Sequence, residues 1–314
     1  MAKQKALITG GCGFIGSYLT ENLIARGFDC VIVDTLWQNS YANVEPFANK
    51  FQLLKVDITD SAALDAAFAS QKPDLVFHLA AHHFIPYCDA HPNEAITTNI
   101  IGTQNVADSC GKHGVSKLFY ASTAAVYGPS DSPHTIDDHI DPMDLYGVTK
   151  YAGEKIVTFL TKRSSVKVAI GRFFNAVGLR ETNPHIIPEI IKQLIATIDA
   201  PVLRLGNVFP RRDYIHAADI AEATATFTTQ LDGTLDIVNI GSAEDWSVTD
   251  LVEMFSEELG KPIRVEYDAA KGRKSDRPRL CADTSKLQSK YGWKPTYGVR
   301  GAVKDLVSSY LVAQ

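Results

Sequence analysis

Lys5-Ala6-Leu7-Ile8-Thr9-Gly10-Gly11-Cys12-Gly13-Phe14-Ile15-Gly16 is the stretch that decides the fold. Its first five residues read as a short buried strand. Gly10, Gly13 and Gly16 follow, and then Phe14, Leu19, Leu23 and Ile24 recur at helical spacing until Gly27. Strand, glycine turn and helix in succession make a phosphate cradle. Glycine permits the tight turn and the close approach of backbone to a pyrophosphate, and the helix start offers free N–H groups and a positive dipole end. A glycine motif alone is weak evidence. Here a second apolar run, Cys30-Val31-Ile32-Val33, ends in Asp34. A carboxylate at that point accepts hydrogen bonds from both hydroxyls of an adenosine ribose and repels a 2′-phosphate, so the pairing points to NAD rather than NADP. Asp57, followed by Ile58 after a third run, is placed either to reach the adenine or to cap the next helix.

Outward from this turn, strands alternate with helices. Strands are expected at 51–56, 75–79, 117–122 and 166–172, with helices at 61–70, 93–113 and 146–161. That alternation predicts an α/β fold, a doubly wound parallel sheet of Rossmann type. After Arg172 the pattern breaks, and Pro184, Pro188, Pro201 and Pro210 punctuate the chain. We expect a dinucleotide-binding domain over 1–172 and a smaller C-terminal α/β substrate cap over 173–314. The boundary is soft, and some later segments should return to the first domain.

The 314 residues are 45% hydrophobic and 21% charged, enough for a substantial core. A net charge of -5 gives no basic field for nucleic acid. No apolar run approaches the roughly 18 residues of a membrane span, and the N-terminal residues lack a secretory pattern, so a cytoplasmic location is expected. Cys12, Cys30, Cys88, Cys110 and Cys281 are scattered, with no C-x-x-C pair. That argues against disulfides and thiolate metal sites. The adjacent His82 and His83 show no recognised metal spacing, and no metal is expected.

Tyr146-Gly147-Val148-Thr149-Lys150 places a phenol and an ammonium four residues apart, on one helix face. A free phenol titrates near pH ~10, too high for a base near neutrality. An adjacent ammonium and a cationic nicotinamide would both favour the phenolate. Upstream, the fifth strand leads into Ser122-Thr123-Ala124-Ala125-Val126-Tyr127-Gly128, which brings a hydroxyl to the carboxyl end of the sheet, where sites lie.

The glycine turn, Asp34, Thr123 and Tyr146/Lys150, in this order, resemble the extended short-chain dehydrogenase/reductase superfamily, and within it the NAD-dependent sugar-nucleotide epimerase/dehydratase family. Arg172-Phe173-Phe174-Asn175 resembles the family's strand-end stretch that meets cofactor and substrate. Arg212-Asp213-Tyr214-Ile215-His216 resembles its R-D-Y-I-H motif, and Arg273-Lys274-Ser275-Asp276, ahead of Asp283-Thr284-Ser285-Lys286, its C-terminal signature. The resemblance implies that Tyr146, Lys150 and Thr123 are catalytic. It implies cofactor contacts from Gly10, Gly13, Phe14, Ile15, Gly16, Asp34, Asp57, Ile58, Leu79, Ala80, Ala81, Asn99, Tyr146, Lys150 and Phe173, with Asn99 also ordering the site. Substrate contacts fall to Thr123, Asn175, Arg212, Arg273 and Asp276, the two arginines on phosphate. His83 stands where relatives often carry lysine or glutamine.

The family's shared first step oxidises a sugar hydroxyl. Dehydratases usually add Asp-Glu directly after the threonine, and decarboxylases a nearby glutamate; here Ala124 and Ala125 stand there. The resemblance therefore implies epimerisation of a nucleotide-diphosphate sugar, most often at C4 as for UDP-glucose and UDP-galactose. The alternatives are a dehydrogenase or keto-reductase, an epimerase of an acidic or deoxy sugar, or a non-catalytic NAD-binding protein. A homodimer pairing the helices at 93–113 and 146–161 is implied as well.

Overall fold

The computed structural model describes residues 3–269 and 277–312. β1 (Lys5–Thr9) runs into α1 (Phe14–Ala25), β2 (Asp29–Asp34), β3 (Phe51–Lys55), α2 (Ser61–Gln71) and β4 (Leu75–His78). Next come α3 (Ile85–Ala90), α4 (Pro92–Ile96), α5 (Thr103–Lys112), β5 (Lys117–Thr123), α6 (Leu145–Arg163) and β6 (Lys167–Phe173). The remainder holds β7 (Asn175–Val177), α7 (Ile186–Ala196), β8 (Val202–Leu205), β9 (Arg211–His216), α8 (Ala217–Gln230) and β10 (Leu235–Ile240). It ends with β11 (Asp245–Ser247), α9 (Val248–Leu259), β12 (Arg264–Tyr267), β13 (Arg279–Leu280), α10 (Ser285–Tyr291) and α11 (Gly298–Val307).

Seven parallel strands form the main sheet in the order β10-β6-β5-β4-β1-β2-β3. The order reverses at β1, whose neighbours are β2 and β4. Such a switch point opens a crevice beyond the carboxyl ends of the strands, and the glycine turn stands there. Alternate residues of β1 serve opposite faces, as the strand period of two requires. Ile8 packs with Leu19, Leu23, Phe119 and Phe227 on one side, and Leu7 with Leu64, Phe68, Val106 and Leu160 on the other. A second core joins Ile190, Leu194, Leu203, Tyr214, Leu251, Phe255 and Leu306 in the cap. The doubly wound sheet and smaller cap are those expected. β10 pairs along the whole of its length with β6, from Leu235 on Val168 to Ile240 on Phe173, so this later segment completes the first sheet.

One element departs from the expected pattern. The helix foreseen over 93–113 is interrupted: a π-helical turn, Thr97–Gly102, separates α4 from α5. Periodicity does not register a single wide turn, and such turns favour functional regions. Here the turn carries Asn99, which is buried and tied to two other segments of the site.

His78, at the end of β4, is 1% exposed. Thr103 Oγ1 donates to the Asn99 carbonyl and so accepts from His78 Nε2, while Thr9 Oγ1 meets Nδ1 at 2.7 Å. This arrangement suits a neutral ring. Burial, aided by the charge of Lys150, pushes its pKa from 6.5 down to about 3. The folded pKa lies below the unfolded one, so the stabilisation is complete above pH 6.5 and is lost as pH falls toward 3. Between pH 6.5 and 5 the loss from this residue is about 2 kcal/mol. Thermal melts should show that decline in wild type and a flatter one in His78→Gln. An equal slope in both proteins would refute the assignment.

Candidate active site

The strand ends and the cap enclose a cavity of about 990 Å³. At one end lies the glycine turn. α1 begins at the Gly13 N-cap with no side-chain cap, and the first backbone bond back to the turn runs from Ser17 N to the Gly13 carbonyl at 2.9 Å. The N–H groups of Phe14, Ile15 and Gly16 precede that bond and are placed for phosphate oxygens. Gly16 is required by space: a Cβ there would stand 2.0 Å from the Gly10 carbonyl oxygen. Gly16→Ala must therefore push the turn open. We expect at least about tenfold weaker NAD binding by equilibrium dialysis and a loss of about 1–3 kcal/mol in stability. Unaltered NAD affinity would contradict this reading of the turn.

Asp34 closes that end. Its carboxylate accepts from Cys12 N at 3.0 Å and Leu36 N at 2.8 Å. Burial raises its pKa, and these backbone bonds, with Thr35 N and the Ser40 hydroxyl, oppose the rise. Asp57 lines the cavity beside Ile58 while its own carboxylate accepts from Thr59 N and Thr59 Oγ1, both at 2.8 Å. The helix cap before α2 is Asp60, which accepts from Ala63 N. Leu79, Ala80 and Ala81 form the wall beside the turn. Cavity size, phosphate-facing amides and an oriented carboxylate together fit a dinucleotide.

Thr123, Tyr146 and Lys150 converge at the other end. α6 is started by Asp144, whose side chain accepts from Gly147 N. Gly147 lets the helix press on the β5 loop; a Cβ there would be 2.5 Å from the Ala125 carbonyl oxygen. The Thr123 hydroxyl accepts from Ala125 N at 3.1 Å and faces the Tyr146 phenol closely enough to lower its pKa. Burial pushes the Tyr146 pKa above its usual value; the Thr123 hydroxyl pulls it back, and Cys88 and Asp144 add to the rise. Lys150 is 2% exposed, with Nζ 4.2 Å from the Tyr120 ring centroid. Burial drives its pKa down to about 7, against the pull of Glu154. The expected lowering of the phenol pKa by Lys150 is thus not what the chain alone produces. Desolvation dominates both groups, and the hydroxyl of Thr123 is what favours the phenolate.

Phe173, Asn175 and Arg212 also line the cavity. Arg172 does not share their role. It turns into the core and grips Glu154 through two bonds of 2.9 Å. Asn99, 1% exposed, is not among the residues that line the cavity. Its amide spans the His82 backbone and the Thr149 hydroxyl, so it ties the loop after β4 to α6. Asp213 likewise serves structure, its buried carboxylate accepting from Ser242, Ala243 and Ala282. Arg273 and Asp276 lie outside the described residues.

Sequence reasoning missed Arg277, whose guanidinium donates to the carbonyls of Tyr127 and Ala125 and so braces the Thr123 loop. Its place next to Asp276 was the available signal. Glu181, Asn183 and His185 face the cavity from the segment before α7, opposite His83. Ala124 and Ala125 leave no acid beside Thr123, but Glu181 does bring a carboxylate into the cavity.

A family model described as GDP-mannose 4,6 dehydratase matches residues 7–306. UDP-glucose 4-epimerase of Bacillus subtilis is 30% identical over 323 residues, covering 95% of this chain and 94% of that protein. Among solved structures, Thermotoga maritima UDP-glucose 4-epimerase with UDP-glucose is 25% identical, with a TM-score of 0.89 and 99% of each chain covered. Thermus thermophilus UDP-glucose 4-epimerase complexed with NAD is 27% identical, with a TM-score of 0.87, covering 99% of this chain and 100% of that one. With the switch-point glycine turn and the Thr123, Tyr146 and Lys150 cluster in one cavity, these matches establish that the chain belongs to the NAD-dependent sugar-nucleotide epimerase/dehydratase family of extended short-chain dehydrogenases/reductases.

Proposed function

We propose that this protein interconverts the C4 epimers of a UDP-sugar, of the UDP-glucose/UDP-galactose type, with tightly held NAD. The observation that carries the reading is the Tyr146 phenol beside Thr123 in the cavity, with Ala124 and Ala125 next to it instead of acids. The names of the similar proteins support it. NAD, when bound along the glycine turn and Asp34, supplies a hydride acceptor and donor at its nicotinamide. The residues of the chain supply the rest. Tyr146 takes the C4 hydroxyl proton at its phenolic oxygen, and Thr123 positions the same substrate oxygen. Lys150 holds the nicotinamide ribose. Arg212 and Arg273 hold the diphosphate and Asp276 the nucleoside ribose, while the sugar turns within the cap. Tyr146 then returns the proton when the keto-sugar is reduced on its other face.

Mass spectrometry and NMR on a panel of UDP-, GDP-, CDP- and dTDP-sugars test this. The expected result is a C4 epimer of a UDP-sugar with no net change in NAD. Stoichiometric NAD consumption, or no epimer from any nucleotide sugar, would sink it in favour of a dehydrogenase, keto-reductase or binding protein. We further propose a cytoplasmic homodimer built on α4, α5 and α6. Ile96, Ile101, Val148 and Phe159, on these helices and the π turn, are 40%, 50%, 46% and 59% exposed. Light scattering should give twice the chain mass.

A further inference from the structure

Among the described residues, three metal-capable side chains meet at one place: His83, Glu181 and His185, with their ligand atoms all within 4.8 Å of one another. They come from opposite walls of the cavity. His83 follows β4. Glu181 and His185 flank a tight turn in which Asn183 N donates to Glu181 Oε1 at 2.8 Å and His185 N to the Asn183 carbonyl at 2.7 Å. That turn sets the carboxylate and the second imidazole on the side that faces His83. The two imidazole rings lie near parallel, with centroids 6.1 Å apart, and Phe84 packs its edge on His185.

We propose that His83, Glu181 and His185 form a site for one divalent transition-metal ion on the substrate side of the cavity. Two imidazoles and one carboxylate are the donor set of zinc, cobalt and nickel sites, and three protein ligands leave positions for water. Ligand atoms around a tetrahedral ion stand about 3.4 Å apart when bonds are near 2.0–2.1 Å, so the cluster closes with shifts of about 1 Å. The Asn183 amide meets His83 Nε2 at 3.1 Å, a contact that an ion bound at this nitrogen must displace. Magnesium and calcium, which take six or more oxygens, do not suit this set.

This proposal stands apart from the epimerase reading and is tested without turnover. Untagged, NAD-loaded protein is titrated with Zn²⁺ by calorimetry and with Co²⁺ by visible absorption. One ion per chain is expected, with a cobalt band of low-symmetry coordination and no heat from Mg²⁺. His83→Ala, Glu181→Gln and His185→Ala should each weaken Zn²⁺ binding by at least about tenfold. Circular dichroism melts report folding. If an alanine variant misfolds, the isosteric Glu181→Gln decides alone. No zinc binding by wild type, equal binding of Mg²⁺, or wild-type affinity in folded Glu181→Gln overturns the site.

Discussion

Tyr146→Phe should lower kcat for nucleotide-sugar turnover by about 10³-fold and leave KM roughly unchanged. The substitution removes one oxygen and keeps the ring, so the packing of α6 on the β5 loop is preserved. It deletes the phenolic oxygen beside Thr123, the group proposed to take the sugar hydroxyl proton. A loss in kcat with KM held is the signature of an interaction made in the transition state. The pH profile supplies a second readout. Burial raises the Tyr146 pKa, so the phenolate fraction grows as pH climbs from 7 to 9. Wild-type kcat should rise over that range, and the residual rate of the variant should stay flat. Retention of activity within tenfold of wild type would remove Tyr146 from the chemistry. A wild-type profile that falls over the same range would show that desolvation does not govern this phenol.

The parts of the site that could be read from the sequence are those encoded by short-range geometry. A glycine turn between strand and helix, a carboxylate closing the next strand, and a phenol with an amine one helical turn away each need only a few neighbouring residues. All of them meet in the cavity. What was illegible depends on distant pairings. His83 and Asn183 touch across 100 residues of chain, a pairing that no local pattern shows. Arg277 acts on carbonyls 150 and 152 residues upstream. The π turn escaped because hydrophobic spacing reads a mean period, whereas the role of Asn99 comes from its partners His82 and Thr149. The electrostatics of Tyr146 were hidden for a related reason: proximity along a helix is local, but the desolvation that lifts the phenol and depresses Lys150 is set by the whole fold.

Glu154→Met should cost about 3–5 kcal/mol of stability, a fall of roughly 10 °C in Tm, and Glu154→Met/Arg172→Met should be more stable than the single variant. Both residues are 3% exposed. Arg172 grips the carboxylate with two bonds of 2.9 Å and also donates to the Tyr127 hydroxyl at 2.9 Å. Ser122 donates to the same carboxylate, and Tyr127 donates onward to Asn239. Removing Glu154 alone leaves a guanidinium in the core that cannot shed its proton, and the cost is that of an unpaired buried charge. Removing Arg172 as well replaces the charge with apolar volume, and Tyr127 still has Asn239. Chemical denaturation of wild type, both single variants and the double variant measures the coupling. A double variant less stable than Glu154→Met would mean that the other Arg172 bonds outweigh its charge. The network matters for function because of what it joins. Ser122 precedes Thr123 on β5, Glu154 lies one turn beyond Lys150 on α6, and Arg172 precedes Phe173 on β6. The ion pair thus clamps the three elements that deliver the hydroxyl, the phenol and amine, and the aromatic wall to one cavity. Glu154→Met should therefore lose turnover at temperatures well below its own unfolding, whereas a clamp serving stability alone would leave kcat intact up to the melt.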